Sequence, residues 1–183
     1  MRITINIDGG SRGNPGPGAA AYVIKDTSGK ILAQEGYFLP HCTNNQAEYT
    51  ALRLALIKAA ELKATDLEII SDSLLLVKQY LGEYKIKNAD LAQRMTEIRQ
   101  LAKPFVIQIR HVLRHLNKEP DALANKAMDL KQSVGFNPIE NLDPRPAPAP
   151  KKEDLVVNGV EVKPVVRKKN KKQEAQPSLF DNL

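Results

Sequence analysis

Apolar and polar residues alternate at the start of the chain, and this alternation predicts a β-strand over residues 3–8. Two further runs of strand type cover 19–26 and 30–38, and the connection at 27–29 has the composition of a turn. The stretch 9–18 holds too many glycines and prolines for regular structure. The chain is therefore predicted to begin with a meander of three strands.

The apolar spacing then changes to a helical period. A helix is predicted over 45–62, with Asn44 or Asn45 as its N-cap and Glu48 in its first turn. A short apolar run at 67–71 predicts a buried strand. The elements predicted after it are a helix at 73–81, a helix at 88–102 capped by Asn88, a strand at 105–113 and a helix at 120–131.

This order, β-β-β-α-β-α-α-β-α, places a strand meander before alternating strands and helices. It indicates an α/β domain with a mixed five-stranded sheet flanked by helices, which we expect to occupy residues 1–133. Prolines then recur up to Pro150, and an Asn-Gly pair indicates a small hairpin within 155–166. Residues 134–183 are therefore predicted to form a flexible tail.

Charge and composition narrow the classes of function only partly. The net charge is +6, of which +2 falls on residues 1–143 and +4 on residues 144–183. This balance favours a polyanionic partner but leaves nucleic acid, a membrane surface and plain solubility open. One cysteine, Cys42, excludes an internal disulfide framework, and the chain has neither a membrane-length apolar run nor a signal peptide. We expect a cytoplasmic monomer without a membrane partner.

Four acidic residues lie where predicted elements begin or end: Asp8, Glu48, Asp72 and Asp121. If the first and fourth strands are parallel neighbours, their carboxyl ends bring Asp8 and Asp72 together. Carboxylates so close repel one another, and hard divalent cations such as Mg²⁺ compensate that repulsion. The alternative is that each acid is ordinary, either as a first-turn charge on a helix or as a cap.

Four motifs of the sequence run from Asp8 to Gly16, from Thr43 to Glu48, from Ser71 to Ser73 and from Arg114 to Ala124. In their order and spacing, over residues 1–131, these motifs closely resemble those of type 1 ribonuclease H. The resemblance implies an RNase H-like fold and an endonuclease that cuts the RNA strand of RNA–DNA hybrids, leaving 5′-phosphate and 3′-hydroxyl ends.

The resemblance also implies roles for the acids. Two Mg²⁺ ions, with Mn²⁺ as a substitute, would be held by the four carboxylates. Asp8 would bridge both ions, Asp121 would hold the ion that activates water, and Glu48 and Asp72 would hold the other. Glu48 would also accept a hydrogen bond from an RNA 2′-hydroxyl.

Further residues are implied to contact the hybrid. Backbone groups of the glycine-rich loop would line the minor groove, and asparagines would reach base edges or sugars. Thr43 and Asn88 would hold a phosphate of the DNA strand. The full set is Gly9, Ser11, Gly13, Asn14, Thr43, Asn44, Asn45 and Asn88. Each asparagine has an alternative explanation as a turn or cap residue.

The loop before Asp121 offers three candidates for a catalytic assistant, where family members carry histidine or arginine. Arg114 is favoured because it stands seven residues before Asp121, and His115 is second. His111 falls inside the predicted strand and is interpreted as a strand-end residue. Relatives with a basic protrusion carry extra sequence where this chain has only residues 82–87.

The tail offers two binding segments. The basic run at 167–172 would supply phosphate contacts, or is simply a solvated charge cluster. The peptide at 176–180, through Gln176, Leu179 and Phe180, resembles those that dock on the bacterial DNA sliding clamp. The alternative function is a non-catalytic hybrid-binding or clamp-tethered module on the same fold.

Overall fold

A computed structural model describes residues 1–136 and two short strands further along the chain. The strands are β1 (Arg2–Ser11), β2 (Gly16–Lys25), β3 (Ile31–Cys42), β4 (Asp66–Ser71), β5 (Val106–His111), β6 (Val134–Phe136), β7 (Val156–Val157) and β8 (Val160–Glu161). The helices are α1 (Asn44–Glu61), α2 (Leu74–Tyr80), α3 (Ala89–Ala102) and α4 (Lys118–Leu130), and a short 3-10 helix covers Arg114–Leu116. Among the described residues, no helix is both long and apolar enough to span a bilayer.

The first six strands form one mixed sheet in the order β5-β4-β1-β2-β3-β6. β1 pairs antiparallel with β2 and parallel with β4, and β4 pairs parallel with β5. The α/β class is confirmed, but the predicted count of five strands is wrong. The sixth strand, β6, begins one residue after the predicted domain end at 133 and pairs antiparallel with β3.

The glycine-rich stretch is more ordered than its composition predicts. β1 continues to Ser11 and β2 already begins at Gly16, so the irregular part is confined to residues 12–15. Gly9, Gly10 and Ser11 pair with Ala20, Ala19 and Gly18 across the two strands. This ladder of small residues supplies the backbone hydrogen bonds that compensate for the low strand propensity of glycine.

The start of α1 also differs from the prediction by one residue. Thr43, rather than Asn44 or Asn45, is the N-cap. Its hydroxyl accepts from the Gln46 amide at 3.2 Å, and the Gln46 side chain accepts from the Thr43 amide at 2.8 Å. This reciprocal pair satisfies two amides at the helix start. Glu48 consequently lies in the second turn of α1 and not in the first.

Two faces of β2 separate the core into two parts. Ala20, Tyr22 and Ile24 lie in the main core with α1 and α3, whereas Ala19 and Ala21 pack with α4. Because neighbouring residues of a strand point to opposite faces, α1 and α4 cover opposite sides of the sheet. Each large apolar side chain buried in the main core contributes about 1.5–3 kcal/mol.

The tail is described only at β7 and β8. These strands pair antiparallel, with Val156 opposite Glu161 and Val157 opposite Val160, inside the range predicted to form a hairpin. Contacts divide the chain into one unit at Met1–Asp143 and another at Pro144–Leu183. The predicted basic segment at 167–172 and the peptide at 176–180 lie outside the described residues.

Candidate active site

The four acidic residues predicted from sequence line one cleft of about 280 Å³. β1 and β4 are parallel neighbours whose pairing ends at Ile7 and Ser71, so Asp8 and Asp72 follow at the same edge. Glu48 enters from α1 and Asp121 from the first turn of α4. The remaining lining residues are Gly9, Gly10, Asn44, Ser73, Arg114, Ala124, Asn125 and Met128.

Both oxygens of the Glu48 carboxylate are held by neighbours. Asn44 Nδ2 donates to Oε1 at 3.1 Å, and Ser73 Oγ donates to Oε2 at 2.6 Å. Ser73 is also the N-cap of α2, where its hydroxyl accepts from the Leu76 amide at 3.3 Å. One side chain therefore ties the position of Glu48 to the start of α2.

Arg114 approaches the cleft from the short 3-10 helix. Its Nη2 donates to Asp121 Oδ1 at 2.7 Å, although 78% of the arginine side chain is exposed. The neighbouring His115 does not line this cleft but an adjacent open groove, which Arg114 and Asp121 line as well. The favoured candidate thus contacts a carboxylate of the cleft directly, and His111 ends the edge strand β5.

Asn117 belongs to the site although sequence reasoning missed it. The residue is 1% exposed, and its Nδ2 donates to Asp72 Oδ1 at 2.9 Å. The same nitrogen donates to the Ile7 carbonyl at 2.8 Å, while Asn6 donates to Asn117 Oδ1 at 3.0 Å. The sequence feature that could have identified Asn117 is its position four residues before Asp121, within the motif from Arg114 to Ala124.

Burial makes the cleft unfavourable for unbalanced negative charge. Desolvation, followed by repulsion from Asp72, raises the pKa of Asp8 to about 6. Desolvation likewise raises the pKa of Glu48 to about 7, against the opposing hydrogen bond from Ser73. The guanidinium of Arg114 favours the charged form of Asp8 but does not restore its ordinary pKa.

These raised pKa values predict how stability depends on pH without metal. The unfolded carboxyls titrate near 3.8 and 4.5, so between those values and about 6 and 7 the folded protein binds more protons. In EDTA, the free energy of unfolding should therefore fall as pH rises through this window. Urea unfolding measures the decrease in the free energy of unfolding between pH 5 and pH 8. This decrease should be smaller in an Asp8→Asn variant than in the unaltered chain, by about 1–2 kcal/mol. Equal decreases would contradict the raised pKa of Asp8.

The donor set of the cleft fits a hard divalent cation, because all four acidic side chains offer oxygen. Within the described part of the chain, however, no three His, Cys, Asp or Glu side chains stand grouped as a metal ion would need. Glu48, Asp72 and Asp121 are each hydrogen-bonded to a neighbour instead. A cation that binds here would replace Arg114 beside Asp121.

The residues implied to contact substrate divide into two sets. Gly9 and Asn44 line the cleft itself. The other residues do not line the cleft, and most of them form hydrogen bonds within their own loop or helix cap. The Ser11 hydroxyl donates to the Gly13 carbonyl, Asn14 Oδ1 accepts from the Asn44 amide, Thr43 caps α1 and Asn88 caps α3, whereas Asn45 is half-buried in α1. Their contacts with nucleic acid stay predictions, and Gln176, Leu179 and Phe180 lie outside the described residues.

Comparisons with known proteins agree on one family. The profile of the family described as "Reverse transcriptase-like" matches residues 6–127. The protein "Ribonuclease HI" of Halobacterium salinarum is 42% identical over 129 residues, which cover 70% of this chain and 65% of the relative. "Bifunctional protein Rv2228c" of Mycobacterium tuberculosis is 40% identical over 131 residues, which cover 70% of this chain but only 36% of the relative.

Solved structures give the same answer. RNase H1 from Halobacterium salinarum superposes with a TM-score of 0.69 at 42% identity, covering 70% of this chain and 98% of that one. LC11-RNase H1 in complex with RNA/DNA hybrid superposes with a TM-score of 0.68 at 33% identity, covering 70% and 98%. Together with the cleft of four carboxylates, these matches establish that the chain belongs to the reverse transcriptase-like family and, within it, to the type 1 ribonucleases H.

Proposed function

We propose that this chain is an endoribonuclease that hydrolyses the RNA strand of RNA–DNA hybrids. The observation that carries the proposal is the convergence of Asp8, Glu48, Asp72 and Asp121 on one cleft. A protein that only binds a polyanion gains nothing from four acids beside a phosphate, because their repulsion raises the cost of binding. The alternative of a non-catalytic module is therefore disfavoured.

The chemistry proposed for the cleft is hydrolysis assisted by two divalent cations, Mg²⁺ or Mn²⁺. When bound, the cations would lower the charge cost of attack by water on the scissile phosphodiester. The four carboxylates of the cleft would hold them, and the family resemblance assigns Asp8 as a ligand of both. Water adds to phosphorus as the bond to the 3′-oxygen breaks, which leaves 5′-phosphate and 3′-hydroxyl ends.

Selection of RNA is assigned to the α1 side of the cleft. Asn44 and Ser73 hold the Glu48 carboxylate with both oxygens oriented, so that it can accept a hydrogen bond from a 2′-hydroxyl. DNA lacks this hydroxyl, and the wide minor groove of a hybrid presents it towards the protein. The solved complex of LC11-RNase H1 with a hybrid supports the same substrate class.

The decisive experiment compares three duplexes of one sequence. We expect purified chain with Mg²⁺ to cut the RNA strand of the hybrid and to leave double-stranded RNA and double-stranded DNA intact. End analysis of the products should find 5′-phosphates. Binding of the hybrid without cleavage in either Mg²⁺ or Mn²⁺ would support the non-catalytic module instead.

Arg114 is proposed to assist catalysis, ahead of His115. Replacing Arg114 with alanine should lower kcat about 10-fold, because the cleft loses the guanidinium that stabilises negative charge near Asp8 and Asp121. Replacing His115 with alanine should change kcat by less than about 3-fold, since His115, unlike Arg114, does not line the cleft that holds all four carboxylates. Steady-state cleavage of the hybrid measures both variants, and the reverse ranking would identify His115 as the assistant.

The tail is proposed to bring a second partner. Residues 176–180 would dock on a DNA sliding clamp, and the basic run at 167–172 would add phosphate contacts to hybrid binding. Purified clamp should bind the full chain but not a variant in which Leu179 and Phe180 are alanine. A cytoplasmic location and a monomeric state are part of the same proposal.

A further inference from the structure

Asn117 occupies an N-cap position but does not cap its helix. Asparagine at this position ordinarily accepts a hydrogen bond from an amide in the first helical turn. Here the Asn117 side chain makes no such bond to α4. It turns away from solvent instead and is 1% exposed, so the amide has a different use.

The amide joins the two strands that carry Asp8 and Asp72. Asn117 Nδ2 donates to the Ile7 carbonyl at 2.8 Å and to Asp72 Oδ1 at 2.9 Å. Direct pairing of β1 with β4 ends at Ile7 and Ser71, immediately before these two acids. Asn117 thus continues the connection between the strands at the point where the backbone ladder stops.

The third bond of the amide fixes its orientation. Asn6 Nδ2 donates to Asn117 Oδ1 at 3.0 Å. Asn6 lies two residues before Asp8 and therefore on the same face of β1. With its oxygen held by Asn6, the Asn117 amide can only direct its nitrogen towards Ile7 and Asp72. The amide orientation is thus determined by three residues from two segments of the chain, Asn6 and Ile7 in β1 and Asp72 after β4.

Asn117 also anchors the helix that carries a third acid, Asp121. Asp121 follows it by four residues, which is about one turn of α4. The start of α4 is therefore anchored through the Asn117 side chain to β1 and to Asp72. A part-buried, charge-assisted hydrogen bond of this kind restricts both the rotation of a carboxylate and the position of the helix that carries its neighbour.

We infer that Asn117, oriented by Asn6, is a positioning residue that holds Asp72, and through α4 Asp121, in the geometry in which the carboxylates bind divalent cations. The inference rests on the proposed function of the cleft. It concerns how the ligands are held and assigns no chemical step to either asparagine. Residues that orient metal ligands typically change metal affinity or activity by about 10- to 100-fold when they are removed.

The test measures Mn²⁺ affinity by isothermal titration calorimetry without substrate, and kcat and KM for a hybrid in Mg²⁺. Asn117→Ala should raise the Mn²⁺ dissociation constant about 10-fold and lower kcat about 10-fold, with KM within about 2-fold. Asn6→Ala should raise the dissociation constant about 3-fold. Because Asn6 acts through Asn117, the double variant should bind Mn²⁺ no more weakly than Asn117→Ala alone.

Thr4→Ala is the matched control, since Thr4 lies on the same face of β1 two residues further from the cleft. Urea unfolding of every variant separates a loss of stability from a loss of metal affinity. A purely structural Asn117 would lower stability and leave the Mn²⁺ dissociation constant of the folded protein unchanged, which would overturn the inference. If Asn117→Ala does not fold, Asn6→Ala decides by the same criterion. Failure of the unaltered chain to cut hybrid would overturn the proposed function instead, and the Mn²⁺ affinities would still report on Asn117.

Discussion

Cleavage of an RNA–DNA hybrid is expected to fall by at least about 10³-fold when Asp8 is replaced by asparagine. Burial and repulsion from Asp72 and Asp121 all raise the pKa of Asp8. The ionised form of Asp8 is therefore destabilised in the cleft, and a bound divalent cation would compensate for this destabilisation. Asparagine preserves the shape of the side chain but removes the charge, and single-turnover cleavage in Mg²⁺ measures the loss.

The same substitution should leave folding intact or improve it. Removing one of several like charges from a partly buried cluster relieves repulsion, so the unfolding free energy of the metal-free variant should not decrease. Asp66→Asn is the matched control, because Asp66 begins the strand that Asp72 follows and lies at the opposite end of it. Asp66→Asn should keep cleavage within about 2-fold. If Asp8→Asn cleaved the hybrid at the same rate as this control, the cleft would not be the catalytic site.

The placement of the acids was predictable because it depends on order and direction alone. A meander followed by alternating strands and helices favours a parallel β1–β4 pair, and residues that follow parallel strands meet at one edge. Asp8 and Asp72 could therefore be assigned from their positions at strand ends. Asp121 followed in the same way from a helix predicted to begin at Pro120, although α4 begins two residues earlier, at Lys118.

Other features depend on contacts that a local pattern does not contain. Residues 9–11 carry a turn composition, yet they extend β1 because β2 supplies partners for their backbone. β6 is three residues long and exists only as an addition to the edge of β3. In both places the tertiary partner, rather than the intrinsic preference of the residues, determines the structure.

The supporting polar residues were missed for a related reason. Asn117 looks like an ordinary loop asparagine, and its inward turn depends on where Ile7 and Asp72 lie in three dimensions. Ser73 looks like a simple cap of α2, which it is, but its hydroxyl also donates to Glu48. Sequence identified the charges of the site, whereas the neutral donors that orient them emerged only from the fold.

Gly9→Ala is expected to lower both stability and cleavage, because β1 and α1 are in backbone contact there. A Cβ on Gly9 would lie 2.4 Å from the Ala47 carbonyl carbon and from the Glu48 amide nitrogen. Carbon atoms pack at about 3.5–4.0 Å, so the helix would have to withdraw by roughly 1 Å. We expect the free energy of unfolding to fall by about 1–3 kcal/mol. Because Glu48 moves with the helix, kcat should fall by about 10²-fold.

Gly10→Ala is the matched control for this prediction, one residue further along the same strand. A Cβ on Gly10 would meet nothing closer than Asn44 Oδ1 at 3.6 Å, which is an ordinary contact. Its unfolding free energy should stay the same or rise by up to about 1 kcal/mol, since alanine restricts the unfolded chain. Urea unfolding and hybrid cleavage of the two variants side by side test the argument. Equal behaviour would mean that the approach of β1 to α1 does not determine the position of Glu48.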